Sequence, residues 1–341
     1  MKRHCLPFPI GSILTLFCLM VVLTGCNPGS HRGSAARMSF PPQPPPPVPK
    51  AQQMPIDPAM QQQAHAELNA ALQSSAPDIR AHAIEAMQDA LGEQAAPEIL
   101  KALDDSSPLV RFSACIAAGE LRLKDAHDTL ARLANDPDPS VRISAKFALH
   151  RIGDTSRSHD LEKTAKDPQP VIRAQTAMVL GLLEEPSAVK LLKPMLVDPA
   201  ATVRLQAAES LWRLGNQEGL DALIAASISK YSDDQMVAIL ALAQPHDRRV
   251  LGHVEGALTN PDQMVCLVAA RAAGMLGSDE GYGVALQGAK SADPRHRMLA
   301  ALAFGAIGRT DAQPLLATLL KDSNQDVRIA AATALLELKP Q

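Results

Sequence analysis

Arginine recurs through most of this chain at a constant spacing of 31 residues, and this period constrains the fold more than any other feature. Gln235 and Cys266 fill two positions of the same column, so nine units follow one another without insertion or deletion. A unit this short cannot bury an apolar core alone, so the period predicts an array in which neighbouring units share one core. The arginines are Arg80, Arg111, Arg142, Arg173, Arg204, Arg297 and Arg328.

Two further columns keep the same register. Five units have a proline three residues before the arginine column, where a first helical turn accepts it because its missing N–H is no loss. Every unit has a short polar side chain six residues before that column, of the kind that caps backbone N–H groups at turns and helix starts. These residues are Ser74, Asp105, Asp136, Asp167, Asp198, Ser229, Asn260, Ser291 and Asp322.

The remaining pattern of each unit is helical. Mostly apolar residues stand 3, 7 and 10 positions after the arginine column, a spacing that puts them on one face of a helix. Four units have glycine at position 11, where a left-handed residue ends a helix. A second, shorter apolar segment follows. We therefore predict an all-α fold, an α-solenoid or superhelix of about nine two-helix repeats.

The stretch from Asp198 to Gly215 resembles the HEAT-like repeats of the phycobilisome-lyase type, and the resemblance covers about residues 74–339. It implies the helical-repeat fold, and it implies that Asp and Arg side chains bridge neighbouring repeats as a ladder. A row of phosphate-binding arginines is the alternative. The ladder residues are Asp105, Arg111, Asp136, Arg142, Asp167, Arg173, Asp198, Arg204, Arg297, Asp322 and Arg328.

The N-terminus has the pattern of a secretory signal, with basic residues before an apolar stretch. Leu23-Thr24-Gly25-Cys26 resembles the lipobox of bacterial lipoproteins, which implies cleavage after residue 25 and a lipid on Cys26. The alternatives are a plain signal peptide and an uncleaved anchor, but the apolar stretch is shorter than the roughly 20 residues that span a bilayer. Asn27 follows the cysteine in place of the Asp of an inner-membrane retention signal, which favours the outer membrane or periplasmic side of a bacterial envelope over the inner membrane.

Residues 26–56 are predicted to be a disordered, lipidated tether. Seven of the nine residues from Pro41 to Pro49 are proline, which favours an extended polyproline II spacer. The alternative is a proline-rich ligand for an aromatic groove. Residues 57–73 are predicted to form a capping half-repeat, and residues 74–341 the repeat array.

Several function classes lack their sequence signals. The formal net charge of −3 provides no basic excess for nucleic acid. The chain has no P-loop, no Gly-x-Ser-x-Gly and no His-Glu-x-x-His motif, so we assign no catalytic residue, metal ligand or cofactor. His-Glu pairs, on which the iron sites of HEAT-type hydroxylases depend, do not occur.

The least regular repeat lies between residues 229 and 258. Tyr231, His246 and His253 depart there from the pattern of the other units, which is typical either of a partner contact or of a degenerate repeat that makes a bend. Trp212 stands in a column that elsewhere holds mainly small residues. We interpret it either as a surface anchor for a partner or as a filler between helices.

These features favour a lipid-anchored protein of the cell envelope that acts as a scaffold or binding module for another protein or peptide. One alternative is an enzyme or enzyme subunit related to bilin lyases or HEAT-type metal hydroxylases. Another is an assembly factor of an envelope complex.

Overall fold

The structure is a computed structural model that describes residues 46, 48–156 and 161–339. The predicted signal peptide, Cys26 and the first part of the tether lie outside these residues. Within the described part of the chain, α-helices and 3₁₀ turns are the only regular structure. The predicted all-α repeat fold is therefore confirmed.

The chain forms two compact units. Among the described residues, unit 1 contains residues 62–156 and 161–216, and unit 2 contains residues 46, 48–61 and 217–339. In each repeat a longer helix, here called the A helix, starts just before the arginine column. A shorter B helix follows it.

The A helices pack one against the next within each unit. Helix α1, Pro58–Ala71, precedes the first repeat and buries Leu68 completely. The A helices of unit 1 are α2 (Pro77–Leu91), α4 (Pro108–Glu120), α6 (Pro139–Arg151), α8 (Pro170–Leu182) and α10 (Ala201–Arg213). Those of unit 2 are α12 (Ser232–Ala243), α14 (Gln263–Met275), α16 (Pro294–Ile307) and α18 (Gln325–Glu337).

The B helices are short because 3₁₀ turns complete several of them. B helices pack against the following A helix in both units, which makes a second layer. They are α3 (Ala96–Ala102), α5 (His127–Leu133), α7 (Leu161–Thr164) and α9 (Val189–Leu192) in unit 1, and α11 (Gln217–Ser227), α13 (Leu251–Gly256), α15 (Tyr282–Gly288) and α17 (Gln313–Leu319) in unit 2.

Glycine in the A helices lets neighbouring helices approach closely. A Cβ on Gly119 would lie 2.6 Å from Cε1 of Phe147, and one on Gly274 would lie 2.6 Å from the backbone N of Ile307. The column eight residues after the arginine therefore faces a neighbouring helix. This close approach explains why small residues recur there.

The turn after the A helix is left-handed in seven successive repeats, eleven residues after the arginine column. Four of these residues are the predicted glycines, with φ between 73° and 107°. The other three are Arg122, Glu184 and His246, with φ of 52°, 58° and 53°. The register of the array thus imposes the left-handed turn even where a side chain makes it costly.

Candidate functional site

Each residue of the arginine column bonds to the loop at the start of its own repeat. In all nine repeats its side chain donates to the backbone carbonyl six residues earlier, as from Arg111 Nη1 to the Asp105 carbonyl at 2.9 Å. All seven arginines also donate to the carbonyl five residues earlier. The column therefore ties the loop to the A helix.

The polar residue six positions earlier orders the same loop. In every repeat its side-chain oxygen accepts the backbone N–H two residues further on, as Asp167 does from Gln169 at 2.8 Å. This is the local side-chain bond that makes Asp, Asn and Ser turn formers. At four of the aspartates the same carboxylate also accepts from the preceding repeat.

Paired hydrogen bonds join an arginine to the aspartate of the next repeat at four places. Nε and Nη2 of each arginine donate to the two carboxylate oxygens over 2.7–3.0 Å. The pairs are Arg80–Asp105, Arg111–Asp136, Arg173–Asp198 and Arg297–Asp322. These four guanidinium groups are thus bound to the next repeat, and Arg142, Arg204 and Arg328 are bound to their own loop carbonyls. Both kinds of bond disfavour a row of phosphate-binding arginines.

The two repeats without arginine keep part of this arrangement. Asn260 Nδ2 donates to Gln235 Oε1 over 3.0 Å, so a neutral amide pair takes the place of an ion pair. Cys266 Sγ donates to the Asn260 carbonyl over 3.0 Å. At the Gln235–Asn260 position the ladder therefore changes its chemistry without losing its register.

The ladder depresses the pKa of its carboxylates. Burial alone would raise the pKa of Asp136, but the Arg111 guanidinium and the Asp138 N–H together hold it below its usual value. Hydrogen bonds from Arg173 and Arg297 are the main cause of the lowered pKa of Asp198 and Asp322. These groups are charged at neutral pH and bound in that form.

The interpretation of Trp212 as a surface anchor for a partner is wrong. The residue is only 4% exposed, because its column faces neighbouring helices. It fills a gap in the helix packing, which was the alternative interpretation. It does not offer an accessible indole.

The three other predicted contact residues have separate partners. Tyr231 is 56% exposed, and Lys230 Nζ lies 4.9 Å from its ring centroid. His246 Nδ1 donates to the Met275 carbonyl over 2.9 Å. His253 Nε2 bonds to Ser227 Oγ. Of these three residues, Tyr231 alone is exposed.

Part of the predicted tether is bound to the repeats of unit 2, which the sequence did not predict. Pro46 and residues 48–57, here called the N-terminal segment, lie against the surface formed by Tyr282, Gly283, Arg309, Thr310, Asp311 and Gln313, here called the docking surface. Five hydrogen bonds join them: Arg309 Nη1 to Pro49 O (2.8 Å), Gln52 N to Asp311 Oδ2 (3.0 Å), Met54 N to Thr310 Oγ1 (2.9 Å), Gln313 Nε2 to Pro55 O (2.9 Å) and Asp57 N to Gln313 Oε1 (2.9 Å). Residues 48–56 thus differ from the expected disordered tether, because their backbone groups find partners.

An aromatic and ionic cluster organises the docking surface. The Arg309 guanidinium lies 3.8 Å from the ring centroid of Tyr282, and the Phe304 ring meets that ring edge-on at 5.3 Å. Two nitrogens of Arg309 donate to Asp311, over 3.1 and 2.7 Å, and the Tyr282 hydroxyl donates to Asp311 over 3.2 Å. Tyr282 and Arg309 are 3% and 5% exposed, so the cluster is desolvated.

The pKa of Tyr282 is raised and the pKa of Asp311 is lowered. Burial, together with the Asp311 carboxylate, raises the pKa of Tyr282 to about 12. Burial also acts to raise the pKa of Asp311, but the Arg309 guanidinium, the Gln52 N–H and the Tyr282 hydroxyl lower it overall. Asp311 is therefore an ionised acceptor and Tyr282 a neutral donor at physiological pH.

Part of the docking surface was visible in the sequence. Gly281-Tyr282-Gly283 stands out there, but it has no strand before it and so does not fit a dinucleotide loop. In the structure a Cβ on Gly283 would lie 2.6 Å from the Pro46 carbonyl oxygen. The lack of a side chain at Gly283 therefore allows the N-terminal segment to approach closely.

Unit 1 contains buried polar atoms around Glu120. The Glu120 side chain is buried, and burial raises its pKa although the charges of Arg151 and Arg213 oppose this. Within the described part of the chain, Glu120 Oε1, Arg151 Nε and Gln175 Oε1 have no hydrogen-bond partner.

The described ranges (46, 48–156 and 161–339) contain no group of three or more His, Cys, Asp or Glu residues arranged to hold a metal ion. They also contain no helix with the length and apolar character needed to cross a bilayer.

The HEAT-repeat model matches residues 64–157, 158–243 and 282–341, which is most of the chain. The chain belongs to the HEAT-repeat family. No curated protein matches its sequence.

Solved structures with a similar chain include a phycocyanin lyase and a hydroxylase. The complex of CpcE and CpcF of phycocyanin lyase from Nostoc sp. PCC7120 is 20% identical, with 69% of this chain and 97% of that chain covered and a TM-score of 0.44. Human deoxyhypusine hydroxylase in complex with glycerol is also 20% identical, over 73% and 96% of the two chains, with a TM-score of 0.37.

Proposed function

We propose that this HEAT-repeat chain is a lipid-anchored scaffold of the bacterial cell envelope that binds other polypeptides. The observation that carries the binding part is the docked N-terminal segment. Side chains of unit 2 satisfy five of its backbone groups, so the array has a surface suited to extended polypeptide. Repeat arrays offer such long surfaces because each repeat repeats the same loops and helix ends.

The anchoring part of the proposal rests on the sequence around Cys26. Mass spectrometry of the N-terminal peptide from native membranes tests it. We expect a peptide that begins at Cys26 and carries a diacylglyceryl group. The matched control, Cys26→Ala, should release the protein from washed membranes. An unmodified N-terminus beginning elsewhere would contradict the anchor without touching the binding proposal.

Crosslinking tests the binding part. Tyr231 and Lys50 are exposed residues of unit 2. A photoreactive amino acid in place of either residue should crosslink the chain to envelope proteins. The same group at the exposed Lys101 of unit 1 is the control. Capture of no protein at either position, together with stoichiometric iron or measurable turnover by the purified chain, would favour the enzyme alternative instead.

A further inference from the structure

The N-terminal segment is held by its backbone and not by its side chains. All five hydrogen bonds go to main-chain N–H or C=O groups, and the side chains from Pro49 to Pro55 are exposed. An extended polyproline-type segment has no internal hydrogen bonds, so its backbone groups are free to bind a surface. Recognition of this kind depends on conformation more than on the sequence of the segment.

The positions of the prolines fit the pattern of donors and acceptors. Pro49 and Pro55 contribute only their carbonyls, which are the only main-chain polar groups that proline has. Gln52, Met54 and Asp57 contribute the N–H groups. The docking surface therefore matches a segment with prolines separated by a few residues that have a free N–H.

The docking surface is organised by contacts that do not involve the segment. Arg309 is fixed by Asp311, by the Tyr282 ring and by Asp279, whose carboxylate lies 3.4 Å from Arg309 Nη1. Thr310 begins the 3₁₀ turn that follows Arg309, and Gln313 begins helix α17. We expect a surface held in place by the repeats to keep its shape when the segment leaves, and a preorganised surface binds at a lower entropic cost.

We propose that the docking surface is a binding site for an extended, proline-containing segment of a partner protein, and that the N-terminal segment occupies it as an intramolecular competitor. This inference rests on the proposed function and names its partner class. Because the side chains from Pro49 to Pro55 are exposed, another segment with the same backbone pattern can replace it. The tethered segment has a high effective concentration, so a partner binds well only when the segment is displaced.

The test uses the purified chain in detergent and a fluorescent peptide with the sequence of residues 46–57. The variant Gln52→Pro/Met54→Pro removes two N–H donors from the N-terminal segment and leaves the docking surface unchanged. We expect this variant to bind the peptide about tenfold more tightly than the wild-type chain does, because its site is open. Gln53→Pro is the matched control, since the Gln53 N–H makes none of the five bonds, and it should behave as wild type.

Two further measurements locate the binding. Gly283→Ala in the double-proline background should weaken binding, because its Cβ collides with the backbone at the position of Pro46, while alanine is a good helix former and keeps α15 folded. Hydrogen exchange should show peptide-dependent protection at residues 282–313. A peptide of scrambled order that keeps no proline at the positions equivalent to 49 and 55 should bind less well.

Three results would overturn the proposal: equal peptide affinity of the double-proline variant and the wild-type chain, protection outside residues 282–313, or a stable wild-type dimer that exchanges its segments. Failure here leaves the scaffold proposal standing if crosslinked envelope proteins map to other residues of the array. If no envelope protein crosslinks anywhere, the proposed function fails as well.

Discussion

The Arg111–Asp136 pair of unit 1 and the Gln235–Asn260 pair of unit 2 join neighbouring repeats with different chemistry. In unit 1 the Arg111 guanidinium pairs with Asp136, and in unit 2 the Gln235 amide pairs with Asn260 at the same positions of the repeat. Both pairs keep the bond to the carbonyl six residues earlier. The comparison teaches that the repeat needs a donor that reaches back to its loop, whereas the charge between repeats is an addition.

The two kinds of pair should differ most when one partner is removed. Asp136→Ala leaves the largely buried Arg111 guanidinium without its counter-ion, which we expect to cost about 3 kcal/mol of unfolding free energy. Asn260→Ala removes a neutral bond at the equivalent position and should cost about 1 kcal/mol. Both residues also accept the N–H two residues on, so the controls are matched.

Urea denaturation measures both effects. Trp212 is the one tryptophan of the chain and lies in unit 1, so its fluorescence follows that unit. Hydrogen exchange of peptides from α12 and α14 follows unit 2. Equal losses for the two alanine variants would show that the ion pair behaves as a neutral pair.

Replacing a whole charged pair should cost much less than breaking it. The double variant Arg111→Gln/Asp136→Asn copies the amide pair of unit 2, and we expect it to change the unfolding free energy by about 1 kcal/mol or less. The reason is that the lost attraction is offset by the lower cost of burying neutral groups. A loss as large as that of Asp136→Ala would mean that the charge itself holds the repeats together.

The charged ladder should also make unit 1 sensitive to acid. Because the pKa of Asp136 is lower in the folded than in the unfolded chain, its stabilisation is complete above the unfolded pKa and is lost as the pH falls through the folded pKa. We expect the wild-type chain to lose more stability between about pH 5 and pH 3 than the Arg111→Gln/Asp136→Asn variant does. Parallel pH profiles from the Trp212 fluorescence of both chains would contradict this.

The smallest expected effect concerns the left-handed turns. Arg122→Gly in unit 1 should raise the unfolding free energy by about 0.5–1 kcal/mol, because Arg122 has a φ of 52° and an exposed side chain. His246→Gly in unit 2 should gain less, since it loses the bond from Nδ1 to the Met275 carbonyl. Thermal unfolding compares the two, and a larger gain at His246 would show that its ring bond contributes little.

The sequence by itself determined the repeat, its helix starts and its ladder register. These features depend on contacts within one repeat or with the next, so a fixed spacing of 31 residues reports them directly. Asp136 bonds both to the N–H of Asp138 and to Arg111 of the preceding repeat, and the columns make both partners visible.

The tertiary structure alone decided two matters, the burial of Trp212 and the docking of the N-terminal segment. Burial of Trp212 depends on how closely helices approach, which a column of small residues suggests but does not fix. The segment binds residues more than 250 positions away through its backbone. Backbone groups are the same in every sequence, so no pattern in residues 46–57 identifies Asp311, Thr310 and Gln313 as their partners.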